Sequence, residues 1–296
     1  MSKIVLSIAL MLVSVGAYAQ TDVVIMTLNT EFFFDNQPPH GRVVSNNPPT
    51  QAEYHAKAQS IADFISTSGA NLVGLTEIEN QAVVDEVRSR LPNPNSWNVV
   101  FVQGRDTYTG QDVALLTTFT PNTNTATSYP DERDIFFMGA DERDTNPSKI
   151  LGVLVDANGH EIFVIVAHLI SRAGNNDAKR LAQVNVIRRS AVTEMMAGRH
   201  VVVMGDMNDT PGTPAIRRLR GLDDIWGPMF QTANEVPVDE RFTYVYQGEE
   251  NLLDHILISP SLRRDFKRVA AGQRCEIIDT GTISDHRAIL ARLRIN

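Results

Sequence analysis

Apolar residues gather in short runs along this chain, and most runs stop at a glycine, an asparagine or an acid. The clearest is Val201-Val202-Val203-Met204 before Gly205, which predicts a strand buried on both faces. The same pattern predicts strands over Thr21 to Leu28, Asn71 to Thr76, Trp97 to Val102 and Asp112 to Thr117. Ile150 to Asp156 and Glu161 to Ala167 predict a hairpin across Ala157-Asn158-Gly159, with Asn-Gly as the turn signal. Phe242 to Tyr246, Leu252 to Ser259, Arg274 to Thr280 and His286 to Leu293 complete the predicted strands. Helices are predicted over Gln51 to Thr67, ended by Gly69, and over Gln81 to Arg90, stopped by Pro92. A long helix runs from Asp177 to Met196 and is closed by Gly198. Thr213 and Pro214 supply the N-cap and first position of a short helix to Leu219. Asn36 to Thr50 reads as a loop rich in Pro and Asn. Asn122 to Ser148 reads as a solvated irregular loop or a substrate-facing insertion, with Asp-Glu-Arg-Asp at 131–134 and again at 141–144. Early alternation of strand and helix, followed by frequent strand pairs, predicts a mixed α/β sandwich rather than a pure βαβ wheel.

The first residues follow another rule. Lys3 is a positive n-region, Ile4 to Val15 an apolar h-region, and Ala17-Tyr18-Ala19 a small-x-small cleavage signature. Residues 1–19 are therefore expected to be a signal peptide, leaving an exported chain of 296 − 19 = 277 residues in the periplasm or the medium. The apolar run is too short to span a membrane. No linker, repeat or low-complexity tract divides residues 20–296, which are expected to form a single catalytic domain. Cys275 is the sole cysteine, so no intramolecular disulfide can form. The net charge of −8 becomes −9 when Lys3 is removed. That balance argues against a broadly basic nucleic-acid coat and leaves a local basic groove open. Nothing implies a stable protein partner, and a monomer is expected.

Polar residues recur where the apolar runs end: Asn29, Glu77, His168, Asp206, Asn208, Asp254, Asp285 and His286. Strand ends hold side chains rigidly at the rim of a sheet. Asp206 and Asn208 lie two residues apart, point to one side, and offer oxygens suited to hard cations and phosphate. Each position alone has a structural explanation: Asn29 as a turn cap, Glu77 as a surface acid beside Glu79, and His168 or His255 as a bonded core histidine. Asp254 could be a carboxylate bonded to backbone amides, and Asn208-Asp209-Thr210 also matches a glycosylation sequon.

Taken in order, the segments resemble a known family. They are Leu28-Asn29-Thr30, Gly74-Leu75-Thr76-Glu77-Ile78-Glu79, Val166-Ala167-His168-Leu169, Gly205-Asp206-Met207-Asn208-Asp209, Leu253-Asp254-His255-Ile256-Leu257 and Ser284-Asp285-His286-Arg287. Together they resemble the motifs of the endonuclease/exonuclease/phosphatase superfamily, the DNase I-like group, over about Val23 to Leu293. The resemblance implies a four-layer α/β sandwich, two packed mixed β-sheets flanked by helices, with the site at one edge of the sheets. It implies metal-assisted phosphoester hydrolysis, normally with Mg²⁺ and sometimes Mn²⁺ or Ca²⁺. Glu77 is then the principal metal ligand with Asn29 beside it, and Asp285 supports the metal site or orients its neighbours. His286 pairs with Asp254, Asp206 orients or deprotonates water, Asn208 holds that water and a phosphate oxygen, and His168 donates to a non-bridging oxygen. The segment Gly110-Gln111-Asp112-Val113-Ala114-Leu115-Leu116 departs from the family pattern, which has an aromatic or basic residue before this strand. Tyr108 is out of register and takes no role, and Asp112 is a strand-start residue or faces the site.

Elementary chemistry agrees with such roles. A phosphodiester is anionic and repels a nucleophile unless positive charge lies on its oxygens, which a metal and two histidines supply. Oxygen donors at Glu77 and Asn29 suit Mg²⁺, whereas zinc would favour a tight His/Cys cluster that the sequence lacks. Beside a metal, Asp206 would have a depressed pKa and act more by orientation than as a base. His168 to Gln183 looks like the loop and helix of exported bacterial nucleases of the family, where Arg172, Lys179 and Arg180 could neutralise strand phosphates or be ordinary surface charge. Nucleic acid is the expected substrate, cleaved with little sequence preference. The alternative is a phospholipid or small phosphoester, for which Ile135-Phe136-Phe137-Met138 is the one apolar wedge in sight, although a strand is the simpler reading.

Overall fold

A computed structural model describes residues 20–37, 47–129 and 147–296. The targeting segment, both Asp-Glu-Arg-Asp repeats and Ile135 to Met138 lie outside the described residues. In chain order the elements are β1 (Thr21–Phe33), α1 (Gln51–Ser68), β2 (Leu72–Ile78), α2 (Gln81–Arg90), β3 (Asn98–Phe101), β4 (Asp112–Thr117) and β5 (Thr120–Thr127). They continue with β6 (Ile150–Asp156), β7 (Glu161–His168), α3 (Asp177–Met196), β8 (His200–Asp206), α4 (Pro214–Arg220) and β9 (Phe230–Gln231). The last are β10 (Tyr244–Tyr246), β11 (Glu249–Asn251), β12 (Asp254–Ile258), α5 (Arg263–Arg268), β13 (Cys275–Ile278) and β14 (Ala288–Ile295).

Two six-stranded mixed sheets form, in the orders β13-β14-β1-β2-β4-β3 and β5-β6-β7-β8-β12-β9. Alternation along each strand decides what each face meets. In β8, Val202 and Met204 enter the core between the sheets with Val164, Val166, Ile25 and Leu115, while Val201 and Val203 face the helices. The outer face of the first sheet packs on α1 and α2 through Ile61, Ile65, Val83 and Val87. That of the second packs on α3 and α4 through Val184, Ile187, Ile216 and Leu219. The result is a helix-sheet-sheet-helix sandwich, as the motif order implied.

Local chemistry sets the boundaries. Thr50 and Glu53 make a reciprocal capping box at the start of α1, and Gly69 ends it in the left-handed conformation. Thr213 caps α4 through the Ile216 amide, with Pro214 in its first turn. One expectation fails: residues 120–127 are not irregular loop but β5, an edge strand paired with β6. Its Thr- and Asn-rich sequence lacks an apolar face because most of the strand is exposed or half-buried. The strand predicted from Phe242 shrinks to Tyr244–Tyr246, which pairs with β11 and meets His286 in a single antiparallel bridge from Tyr244. Among the described residues no helix is long and apolar enough to cross a membrane.

Candidate active site

Register brings one half of the site together. His168 of β7 lies opposite Asp206 of β8, and Asp206 lies opposite Asp254 of β12, so three polar residues form a row across the second sheet. Gly205 permits this crowding. Its φ is 132°, and a Cβ there would sit 1.9 Å from the Ala167 carbonyl oxygen.

The first sheet supplies the other half through irregularities. β1 and β2 shift register between Asn29 and Phe33, and β2 and β4 shift between Thr76 and Ile78. Such bulges re-aim side chains beside active sites, and here they turn Glu77 toward the second sheet. Glu31, Phe32, Glu77 and Asn208 all have left-handed backbones, with φ of 47°, 51°, 61° and 50°. Each such non-glycine residue costs on the order of 1–3 kcal/mol, so the site carries local backbone strain.

Asn29 links the sheets. Its Nδ2 donates to Glu77 Oε1 at 3.1 Å and to Asp206 Oδ2 at 3.2 Å, while its Oδ1 accepts the Glu31 N–H at 2.9 Å. The expected oxygen ligand beside Glu77 is therefore a donor that holds two carboxylates together. Two nearby acids attract the N–H side of the amide, and the bulge places a backbone donor for its oxygen. Phe32 N–H donates to Glu77 Oε2 at 3.0 Å.

His286 Nδ1 and Asp254 Oδ2 are 2.7 Å apart, and both residues are buried. Burial opposes charge on the imidazole, but the Asp254 carboxylate overcomes it and raises the His286 pKa to about 10. His168 takes the opposite state: burial, then the nearby Lys149 and His286 cations, hold its pKa well below the ordinary value. Its Nε2 lies 3.7 Å from Asp206 Oδ2 and 3.9 Å from Glu77 Oε1. Burial raises Glu77. Asp206 is pushed up to about 7, by burial first and by Asp254 second. Desolvation outweighs the hydrogen bonds that Asp206 accepts.

Asn208 N–H donates to Asp206 Oδ1 at 2.7 Å, and its Nδ2 donates to the Leu169 carbonyl at 3.0 Å. Its Oδ1 and second amide hydrogen remain for water or phosphate. Asp285 is exposed at the mouth of the same cleft, which has a volume of about 900 Å³ and is also lined by Glu77, His168, Asp206, Asn208 and His286. His255 is buried, with Nε2 2.9 Å from the Asp209 carbonyl, and serves the core.

The donor set fits a hard divalent cation. Ligand atoms of Glu77, His168 and Asp206 lie within 4.8 Å of one another, as do those of Asp206, Asp254 and His286. Asp254 Oδ1 is buried without a hydrogen-bond partner. Crowded, destabilised carboxylates gain most from a bound cation, and oxygen donors suit Mg²⁺ or Ca²⁺ over zinc.

Arg180 is not in the cleft. It is 1 % exposed, its Nε donates to Asp209 Oδ2 at 3.1 Å, and its Nη1 donates to the Ser171 carbonyl at 3.1 Å. The α3 face that carries it packs inward, so its charge organises the loop after His168 instead of meeting phosphate. Arg172 is exposed and lies beside Asn251. The sequence pass missed Lys149, which is nearly buried, lines the cleft and is 3.1 Å from Asp106 Oδ2. A lysine directly before the apolar run of β6 was the available signal. It also missed Tyr244, whose ring lies 4.7 Å from the His286 ring at 31°. Asp112 faces the β3–β4 loop, accepting the Gly104 N–H at 2.8 Å, and burial raises its pKa to about 7.

Among solved structures, the fold resembles TDP2 of D. rerio, humanised by 14 mutations, at 14 % identity and TM-score 0.59, covering 92 % of this chain and 98 % of that one. It resembles an endonuclease/exonuclease/phosphatase from Bacteroides vulgatus at 17 % identity and TM-score 0.59, covering 93 % and 100 %. It also resembles the human nocturnin catalytic domain with bound sulfate at 13 % identity and TM-score 0.57, covering 92 % and 93 %. No curated protein matches its sequence significantly. The family model described as Endonuclease/Exonuclease/phosphatase family matches residues 33–284. With that match over most of its length, the chain belongs to the endonuclease/exonuclease/phosphatase family, whose members are metal-dependent enzymes that hydrolyse phosphoesters.

Proposed function

We propose that this chain is an exported, Mg²⁺-dependent phosphodiesterase that cleaves nucleic acid with little sequence preference. The observation that carries it is the convergence of Asn29 and Glu77 from one sheet, and His286 from the segment before β14, with His168, Asp206 and Asp254 from the other sheet. Glu77 would hold the metal, with Asp285 supporting it from the cleft mouth. The metal supplies positive charge to the phosphoryl oxygens as charge builds there. Asp206, anchored by Asn29 and the Asn208 N–H, orients the attacking water and accepts its proton. Neutral His168 donates to a non-bridging oxygen. His286, kept cationic by Asp254, would stabilise the charge that builds on the phosphoryl oxygens. Lys149 in the cleft wall, and the exposed Arg172 next in the chain to the cleft-lining Ser171, support an anionic polymer there.

The test is purified mature protein, with and without EDTA, on plasmid DNA, RNA, sphingomyelin and bis-p-nitrophenyl phosphate. Cleavage of DNA or RNA that EDTA abolishes and Mg²⁺ restores is expected. Cleavage of the small diester or the lipid without DNA or RNA would overturn the nuclease reading and keep the phosphodiesterase one. Activity that survives both Glu77→Ala and His286→Ala would refute the assigned roles.

A further inference from the structure

Two exposed aromatic rings at the cleft have no task in that mechanism. Phe32 is 37 % exposed, Tyr108 is 64 % exposed, and both line the cleft that holds Glu77 and His286. They stand on opposite sides of the centre. Phe32 is at the end of β1 and Tyr108 is in the loop between β3 and β4, while β2, which carries Glu77, runs between β1 and β4. The backbone positions that carry the two rings therefore lie on either side of the strand that carries Glu77.

The backbone that carries each ring is held in place. The Phe32 N–H is bonded to Glu77 Oε2 at 3.0 Å, and the Phe34 ring lies 6.0 Å from its own. The Tyr108 N–H donates to Asp106 Oδ1 at 3.0 Å, and Asp106 is fixed in turn by Lys149. Besides His286, the cations that line the cleft among the described residues are Lys149 and the exposed Arg105. Arg180 is buried behind the loop, Lys149 is paired with Asp106, and Arg172 is beside Asn251. Such cations hold phosphates, whereas aromatic faces bind bases whatever the sequence.

We propose that Phe32 and Tyr108 are stacking platforms for unpaired bases on the two arms of the scissile phosphate, which makes single-stranded nucleic acid the substrate class of this site. The inference rests on the nuclease reading. Bases within a duplex already have both faces covered and cannot reach the rings without unstacking.

The experiment uses mature protein with Mg²⁺ on a single-stranded oligonucleotide, its duplex, and a strand with tetrahydrofuran abasic units on both sides of one phosphate. Bis-p-nitrophenyl phosphate reports phosphodiesterase activity. The single strand should be cleaved at least tenfold faster than the duplex, and the phosphate between abasic units should be spared to a similar degree. Phe32→Leu and Tyr108→Leu should each raise KM for the single strand about fivefold or more, with a smaller change in kcat. Phe32→Tyr and Tyr108→Phe should restore it. Equal cleavage of duplex and single strand overturns this inference alone, as does cutting between abasic units at the parent rate. Leucine variants with wild-type KM and wild-type melting do the same. Turnover of the small diester with no nucleic acid cleaved overturns the nuclease reading and this inference together, and no turnover of any substrate does so too.

Discussion

Replacing Arg180 by methionine separates a buried organiser from a phosphate ligand. Its guanidinium donates to Asp209 Oδ2 at 3.1 Å and to the Ser171 carbonyl at 3.1 Å, and it also meets Asp177. Asp209 is 4 % exposed and otherwise accepts the Thr210 N–H at 3.1 Å. Methionine would fill the stem volume and strand the Asp209 carboxylate and a loop carbonyl. Removing one partner of a buried ion pair costs about 3–5 kcal/mol. The exposed Asp177 adds little, because solvent screens it. For a domain of this size each kcal/mol lowers Tm by about 2–4 °C, so a fall of roughly 6–20 °C is expected. Thermal unfolding by circular dichroism reads the stability. KM for a single strand across a salt series reads phosphate contact. Arg172→Ala is the control: Tm within about 1 °C of wild type, a raised KM and a salt slope reduced by about 1. An Arg180→Met protein that melts like wild type while its KM rises and its salt slope falls would refute the reasoning. It would return Arg180 to the substrate.

Three other outcomes follow from the same geometry. Asp254 holds the His286 pKa above its ordinary value, so the imidazolium persists as pH rises and is lost only through about pH 10. Asp254→Asn should therefore move the alkaline limb of the kcat–pH profile down toward neutrality, and an unmoved limb would mean that another group sets it. Lys149→Met should lower kcat/KM for nucleic acid about 10- to 100-fold, with partial rescue by Lys149→Arg, because a cation at the cleft wall is lost. Steady-state kinetics beside a melt distinguishes this from unfolding. Asp112 is raised to about 7, so the folded state binds a proton more tightly than the unfolded chain and stability falls as pH rises from about 4 to about 7. Asp112→Asn should flatten that fall and add about 1–3 kcal/mol at pH 8 in urea titrations, and a variant with the wild-type pH dependence would contradict the assignment.

The elements with a buried face were legible because burial writes itself into the residue pattern. β8 and α2 were expected over nearly their observed spans, and Gly205-Asp206 marked where β8 ends. β5 was missed because an edge strand needs no apolar face, and its Thr and Asn residues read as loop. The site divides the same way. His168, Asp206 and Asp254 could be placed at strand ends, and a shared register then set them in a row. The side of the chain on which an amphipathic helix faces its sheet was harder: Arg180 and Arg172 look alike in sequence, yet one is enclosed and the other exposed.

By itself, the sequence determined the mixed α/β succession of strands and helices and the polar residues at the strand ends, since these depend on local periodicity and residue type, and its motifs in order carried the resemblance to the family. Only the tertiary structure decided how those residues act on one another. The bulges that turn Glu77, the amide of Asn29 bridging two carboxylates, and opposite charge states for His168 and His286 arise from contacts between residues 32 to 177 apart in the chain. Desolvation and Coulomb terms change steeply over a few ångströms, and no local pattern of residues carries that information.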